Sequence, residues 1–258
     1  MKLGLNLSLS LNKSGGSTSL LDVRPDAVMH LAVGDADCYD GVDGYLKNLL
    51  PDTDYKFNDG SMALTGAVGE AGSYLDLGDK YMSIAGGVPA FVQTIGRSNQ
   101  PWWIAFGIST LDTSGGCSLF TNQDAGVGGV YIKKQGNESS VISFSTSGGT
   151  KTAVPSYPYF PLGVDNFVLY SWDGVSNVYT WHARNGLKNV KALTLPVDTT
   201  TVKNTNCNLF ATYSGGTKFS AGTDSRLYSV MMGTGAVTTD AEYATLRDFA
   251  KTKDNANY

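Results

Sequence analysis

Phe167-Val168-Leu169-Tyr170-Ser171-Trp172-Asp173-Gly174-Val175-Ser176-Asn177-Val178-Tyr179-Thr180-Trp181-His182-Ala183-Arg184-Asn185-Gly186 holds two runs of aromatic and β-branched residues, each closed by a turn-forming dipeptide. Such side chains fit a pleated, half-buried surface. Asp-Gly and Asn-Gly supply the positive-φ positions that a hairpin needs. The stretch therefore reads as antiparallel strands joined by short turns.

Outward from it the same pattern repeats. Trp102 to Ile108 (WWIAFGI) is the most apolar run of the chain, and Ala27 to Val33 (AVMHLAV) is a second. Shorter strands are predicted at 73–78, 80–84, 117–120, 130–132, 141–144, 207–212 and 225–232, with Gly- and Ser-rich turns between them. Many short strands at this spacing point to an all-β sandwich. One helix is predicted after Thr239. Thr239-Asp240-Ala241-Glu242 fits a capping box, and Tyr243, Leu246 and Phe249 or Ala250 share one face.

Composition agrees. Of 258 residues 31 are Gly, and only 16% are charged, against a usual value of about 25%. Of the 23 acidic residues three are Glu (Glu70, Glu138, Glu242) and the rest Asp, a turn and cap residue. A net charge of −4 with no basic run beyond Lys133-Lys134 sets nucleic acid aside as a partner. No apolar run is long enough to span a membrane as a helix. Three Cys (Cys38, Cys117, Cys207) form no close pair, which argues against a disulfide framework and for synthesis in a reducing compartment.

The first twelve residues alternate strictly: Leu3, Leu5, Leu7, Leu9 and Leu11 recur with period two. This is a strand pattern, without the continuous apolar block of a signal peptide. Lys13-Ser14-Gly15-Gly16-Ser17 follows as a flexible joint. Residues 1–26 are read as an attachment or strand-exchange arm and residues 27–258 as the sandwich. An ordinary first strand of the sheet remains the plainer alternative for the leucines.

From about residue 27 to 252 the order of segments resembles the concanavalin A-like lectin/glucanase sandwich in its laminin-G-like branch. The resemblance is carried by Gly72 to Ile84, by Trp103 to Ile108, by the Phe167–Gly174 hairpin strand, by Trp181 to Gly186, by Phe219 to Tyr228, and by the closing Thr238 to Leu246 helix start. Asn166-Phe167 stands where the family hairpin opens with Trp. The resemblance implies a two-sheet antiparallel jelly roll with one short C-terminal helix. It implies no single function, since the fold carries lectins, glycosidases and adhesion modules alike. The alternating leucines, low charge and Gly/Ser/Thr richness are similar to tailed-bacteriophage virion proteins.

Glycoside hydrolysis needs two facing carboxylates, and no Glu-x-Asp-x-x-Glu run is present. His30 lies in an apolar strand and reads as core, while His182 reads as a surface cross-strand partner. Asp35, Asp37 and Asp40 form the acidic stretch closest to a calcium loop, and the resemblance implies a rim calcium site. Tyr39 and the absence of a closing Glu depart from an EF-hand, and turn capping is the competing role. Sugar rings stack on exposed aromatic faces. The candidates are Tyr157, Tyr159 and Phe160, in a loop stiffened by Pro155, Pro158 and Pro161, with Trp181, Trp102 and Trp172. Neighbouring residues of a strand face opposite ways, so at most one of Trp102 and Trp103 is expected in the core.

The first functional expectation is a non-enzymatic bacteriophage structural protein, a capsid-decoration, head-fibre or tail-associated module. It would be made in the host cytoplasm and reside in the virion. Its arm would dock on a capsid or tail protein, and the assembly would be a homo-oligomer, with a trimer as the guess. The alternative is a lectin-type receptor-binding protein for host-surface glycan. A polysaccharide-cleaving enzyme is the third. No cofactor is called for beyond a structural calcium.

Overall fold

The computed structural model describes residues 18–51, 56–78, 80–85, 89–95, 97, 99–110, 117–122, 129–135, 139–145, 151–156, 163–193, 207–214, 217–220 and 225–258. The arm leucines Leu3, Leu5, Leu7, Leu9 and Leu11 lie outside these residues.

The chain forms an antiparallel β-sandwich. The first sheet runs, edge to edge, through Lys188–Ala192, Val178–His182, Asp165–Asp173, Trp102–Thr110, Ser225–Gly233, Tyr74–Asp76 and Ala63–Thr65, with Ala27–Ala32 also paired to Ser225–Gly233. The second runs through Lys151–Ser156, Ser139–Ser145, Gly129–Gln135, Cys117–Thr121, Asn208–Leu209, Met82–Ala85, Lys56–Asn58 and Tyr45–Lys47. The main core lies between them. Trp102, Ile104, Phe106 and Ile108 face Phe57, Met82, Phe120 and Leu209 within it.

The first sheet is covered on its other face as well. The helix Asp240–Asp254 lays Tyr243, Leu246, Phe249 and Ala250 over Trp103, Ala105, Phe167, Leu169 and Met231. Its start is the expected capping box, in which Thr239 Oγ1 accepts from the Glu242 amide and the Glu242 carboxylate accepts from the Thr239 amide. Trp102 and Trp103 are thus both fully buried, one in each core, contrary to the expectation that only one would be. The continuous apolar run at 102–108 is what a strand covered on both faces requires.

Residues 18–26, assigned above to the arm, pack on the sandwich instead. A short helix at Leu20–Val23 buries Leu20 beside the C-terminal helix. Arg24 grips Asp26 through two hydrogen bonds (2.7 and 2.8 Å) and reaches Glu242 (3.0 Å). Trp103 Nε1 donates to the same Asp26 (2.9 Å). Burial works to raise the Asp26 carboxyl, but the bonds from Arg24 and Trp103 win and hold it below its ordinary value.

Turns follow local chemistry. The 173–178 hairpin closes through four residues. Asp173 Oδ1 accepts from the Val175 and Ser176 amides, and the positive φ falls on Asn177 rather than Gly174. At Asn185-Gly186 both residues take positive φ (61° and 71°), as the dipeptide predicts.

Candidate ligand groove

The expected sugar-stacking tryptophans are not at the surface. Trp102, Trp172 and Trp181 are each 0% exposed and fill the inter-sheet core. Trp181 therefore leaves the candidate set, because a ring packed on both faces offers none to a saccharide. Its strand reads apolar for packing reasons alone. Tyr157, Tyr159 and Phe160 lie outside the described residues.

The acidic loop is also committed elsewhere. Asp35 Oδ1 accepts from the Asp37 amide (2.9 Å). Asp40 Oδ1 accepts from the Val42 and Asp43 amides, and its Oδ2 meets Lys47 Nζ at 2.8 Å. The hydrogen bond from Lys47, with those of the backbone, holds Asp40 well below the usual carboxylate range. Among the described residues no three His, Cys, Asp or Glu side chains converge to hold a metal ion. The Asp35 and Asp40 carboxylates thus act as turn formers, and Asp40 is also the ion-pair partner of Lys47.

His182 is buried rather than a surface partner. Its ring stacks on Tyr243 (centroids 4.7 Å apart), and Nε2 lies 3.2 Å from Asp240 Oδ1. Burial pushes its pKa down, opposed in part by Asp240. His30 sits beside Phe249 (5.4 Å), where burial, aided by the charge of Lys253, drives its pKa down to about 3. Neither histidine faces the groove described next.

That groove, about 410 Å³, opens on the second sheet and is lined by Asn58, Gly60, Ser61, Lys80, Tyr81 and Ser83. Two segments build it. Lys56–Asn58 pairs with Met82–Ala85, with Phe57 and Ile84 turned inward, and the same register carries Asn58 across from Ser83 on the outer face. The turn after Asn58 is drawn tight against the second segment. Gly60 has φ 65°, and a Cβ there would stand 2.3 Å from the Tyr81 carbonyl oxygen, so only glycine fits. Ser61 follows in the left-handed region (φ 58°), its amide held by Asp59 Oδ1 at 2.8 Å.

The second carboxylate oxygen of Asp59 accepts from Tyr39 (3.4 Å), so this acid faces away from the groove into the structure. Burial, with the charge of Asp59, raises the Tyr39 phenol. Among the described residues the groove is lined by one ammonium, one phenol, two hydroxyls and one amide, with no carboxylate or imidazole. This set can hydrogen-bond and stack but holds no acid–base pair. The groove was missed in the sequence because its residues come from two strand ends and their adjoining turns, with no shared motif.

No protein-family model matches the sequence, and no curated protein matches it. Solved structures do. The binding domain of botulinum neurotoxin serotype G superposes with a TM-score of 0.60 at 10% identity, covering 86% of this chain and 50% of that one. A botulinum neurotoxin type C structure, from a toxin whose cell entry depends on interaction with two ganglioside molecules, gives 0.60 at 8% identity (89% and 53%). The binding domain of botulinum neurotoxin DC in complex with SialylT gives 0.60 at 9% identity (88% and 52%). These likenesses show a shared sandwich fold. The chain spans about half the length of the toxin structures it matches, so the ligands named belong to longer proteins.

Proposed function

We propose that this chain is a non-enzymatic glycan-binding sandwich module that takes saccharide in the Asn58–Ser83 groove. The observation that carries the reading is the groove itself. It is polar, it holds an aromatic residue, Tyr81, and among the described residues it has no lining carboxylate. Tyr81 supplies a ring for the C–H face of a sugar, while Asn58, Ser61 and Ser83 supply hydrogen bonds to hydroxyls. Among the described residues no pair of acids lines it to run bond cleavage: Glu70 stands exposed in a turn and Glu242 caps the helix. The shared fold of toxin binding domains supports a binding role over a catalytic one.

The test is a glycan array probed with the chain and with Tyr81→Ala, alongside a reducing-end assay on the bound polysaccharides. Binding that Tyr81→Ala abolishes, with no release of reducing ends, supports the module. Reducing-end release overturns it.

The leucine alternation at Leu3–Leu11 favours a second reading of the same module. In it the arm fixes the sandwich to a capsid or tail protein of a bacteriophage particle, as a homo-oligomer, and the groove faces host-surface glycan. Deleting residues 1–16 leaves the sandwich folded and removes it from particles. A truncated chain that still decorates particles overturns this reading.

A further inference from the structure

We propose that residues 255–258 form a proton-latched strap: it is closed over the first sheet while Asp254 is protonated, and ionisation of Asp254 releases it and uncovers a pocket for a phenol. The strap lies on the other sheet from the groove, so it is independent of glycan binding.

The strap begins where the C-terminal helix ends. Asn255 takes the left-handed conformation (φ 48°), a common way for a helix to turn its chain back. Asn255 and Asn257 are exposed, while Ala256 and Tyr258 are buried. This alternation is that of an extended segment lying with one face down. The Tyr258 ring is seated against Phe167 (centroids 5.8 Å apart) and edge-on to Tyr228 (6.3 Å). Its hydroxyl reaches the floor of the seat at Gly107, where a Cβ would overlap that oxygen. Farther out, Arg184 donates to the Asn257 carbonyl, and the Asn257 amide meets Asp165 Oδ2 at 3.5 Å. The strap belongs to neither sheet's ladder of strands, so it can lift without breaking one.

Asp254 lies beneath it, 2% exposed. Its Oδ2 accepts from Ser229 Oγ and from the Tyr258 hydroxyl (2.6 Å). A negative charge is costly there for two reasons. Strap and sheet shut out water, and the carboxyl stands at the C-terminal end of a helix, where the macrodipole repels an anion. Burial outweighs the two hydrogen bonds and raises its pKa from 3.8 to about 6. Tyr258 faces it from the strap and Ser229 from the sheet. Beside Tyr258 stands Tyr228, which donates to Asp165 (2.9 Å). Arg226 lies over the Tyr74 ring (4.9 Å), and Lys253 of the helix over Phe249 (5.8 Å). Burial first, and then the partner carboxylate, pushes both phenols up, so neither ionises where Asp254 does.

Once the strap is off, water reaches the carboxyl and its pKa returns to the ordinary value. The closed state holds the proton more tightly, so closure is favoured at low pH. With the values of 3.8 and about 6, the opening constant rises about fiftyfold from pH 4 to 7, most steeply between 4 and 6. The space vacated is the seat of Tyr258, walled by Phe167 and Tyr228 with Asp254 at its floor. Apolar walls around one acceptor fit an aromatic ring bearing a hydroxyl, and the ionised carboxylate accepts from it in a charge-assisted bond.

The experiment places a thiol in the strap, as Ala256→Cys in the full chain. Its reaction with a pyridyl disulfide, which attacks thiols even at acid pH, is located by mass spectrometry. The rate is divided by that of the same peptide free in solution. The four tryptophans, all fully buried, report the rest of the sandwich by their emission. The expected result is a rise of about fiftyfold in the rate ratio from pH 4 to 7 with tryptophan emission unchanged. Adding Asp254→Asn should make the ratio independent of pH. A flat ratio without that change overturns the latch. So does a rise that survives Asp254→Asn, which points to Asp165, or a rise that tracks tryptophan emission, which marks global unfolding. The pocket is tested separately with Tyr258→Ala. Para-cresol should raise the melting temperature of this variant more than toluene does, and leave the parent unmoved at pH 4. No shift with para-cresol, or an equal shift with toluene, overturns the phenol pocket.

Discussion

The two sheets are built by the same strand grammar but treated differently by their surroundings. In the first, Trp102, Ile104, Phe106 and Ile108 enter the inter-sheet core while Trp103 and Ala105 go under the C-terminal helix. In the second, Leu46, Phe57, Met82 and Leu209 go inward, but Tyr45, Asn58 and Ser83 face outward with polar groups. A sheet sealed on both faces supplies stability and has no free face to offer a ligand. The second sheet keeps its other face open only locally, at Tyr45, Asn58 and Ser83, since Asn208 in the same row is buried. Substitution can break that division, from its most costly point to its least.

The largest effect is expected at the sealed face. Trp103 is fully buried, donates to Asp26 and lies beneath the Arg24 guanidinium at 5.7 Å. Trp103→Ala should lower the unfolding free energy by about 3–5 kcal/mol, read from urea melts. A loss below about 1 kcal/mol would mean that the helix layer is not bound tightly to the sheet, and the contrast between the sheets would collapse.

Next comes a proton. Asp254, at the end of the helix, is fully buried and accepts hydrogen bonds from Ser229 and from Tyr258 (2.6 Å), in space left by the missing side chain of Gly107. Burial raises its pKa from 3.8 to about 6, against the lowering effect of those two bonds. Tyr258 is itself pushed up, by burial and by Asp254. Because the folded state holds this proton more tightly than the unfolded one, stability from this group is complete below about pH 4. It falls by roughly 3 kcal/mol as pH rises to about 6, and is flat above that. Asp254→Asn should remove this slope in melts recorded from pH 4 to 7. An unchanged slope would place its origin elsewhere.

A smaller effect belongs to the cap. Thr239→Ala deletes the acceptor for the Glu242 amide and should cost about 1 kcal/mol in the same melts. A cost above about 2 kcal/mol would show Thr239 supporting more than the helix end.

What the sequence made legible follows the same division. Period-two alternation identified one-faced strands such as Tyr74–Asp76 and Met82–Ala85, because a single apolar face leaves its mark on every second residue. The Thr239 cap and the face of Tyr243, Leu246 and Phe249 were legible because capping and helical spacing are local. The partner of that face was not. The unbroken run at Trp102–Ile108 shows a strand buried on both sides only once the helix is known to cover it, and the burial of Trp103 and His182 follows from that. Trp181 misled for a related reason: aromatic residues suit cores and sugar sites equally, and register alone decides which. The groove was illegible because Asn58 and Ser83 meet only through sheet pairing, with 24 intervening positions carrying no common motif.

The smallest stability effect, and the most direct probe of the recognition face, is at Ser61. Its φ of 58° places a residue with a Cβ in the left-handed region, at a cost of about 1–2 kcal/mol relative to its ordinary conformations. Glycine would avoid that cost but would lose about 0.5–1 kcal/mol in unfolded-state entropy. The two nearly cancel, so Ser61→Gly should leave the unfolding free energy unchanged or raise it by less than about 1 kcal/mol. Glycine would thus be no worse for the fold at this position, and the serine hydroxyl lines the groove. Local strain kept where folding gains little from it is a mark of binding surfaces. Ser61→Gly should therefore weaken saccharide binding while its melting curve stays with that of the parent. If instead it unfolds more readily and binds as before, Ser61 is a turn residue and the groove loses one of its hydroxyls as a contact.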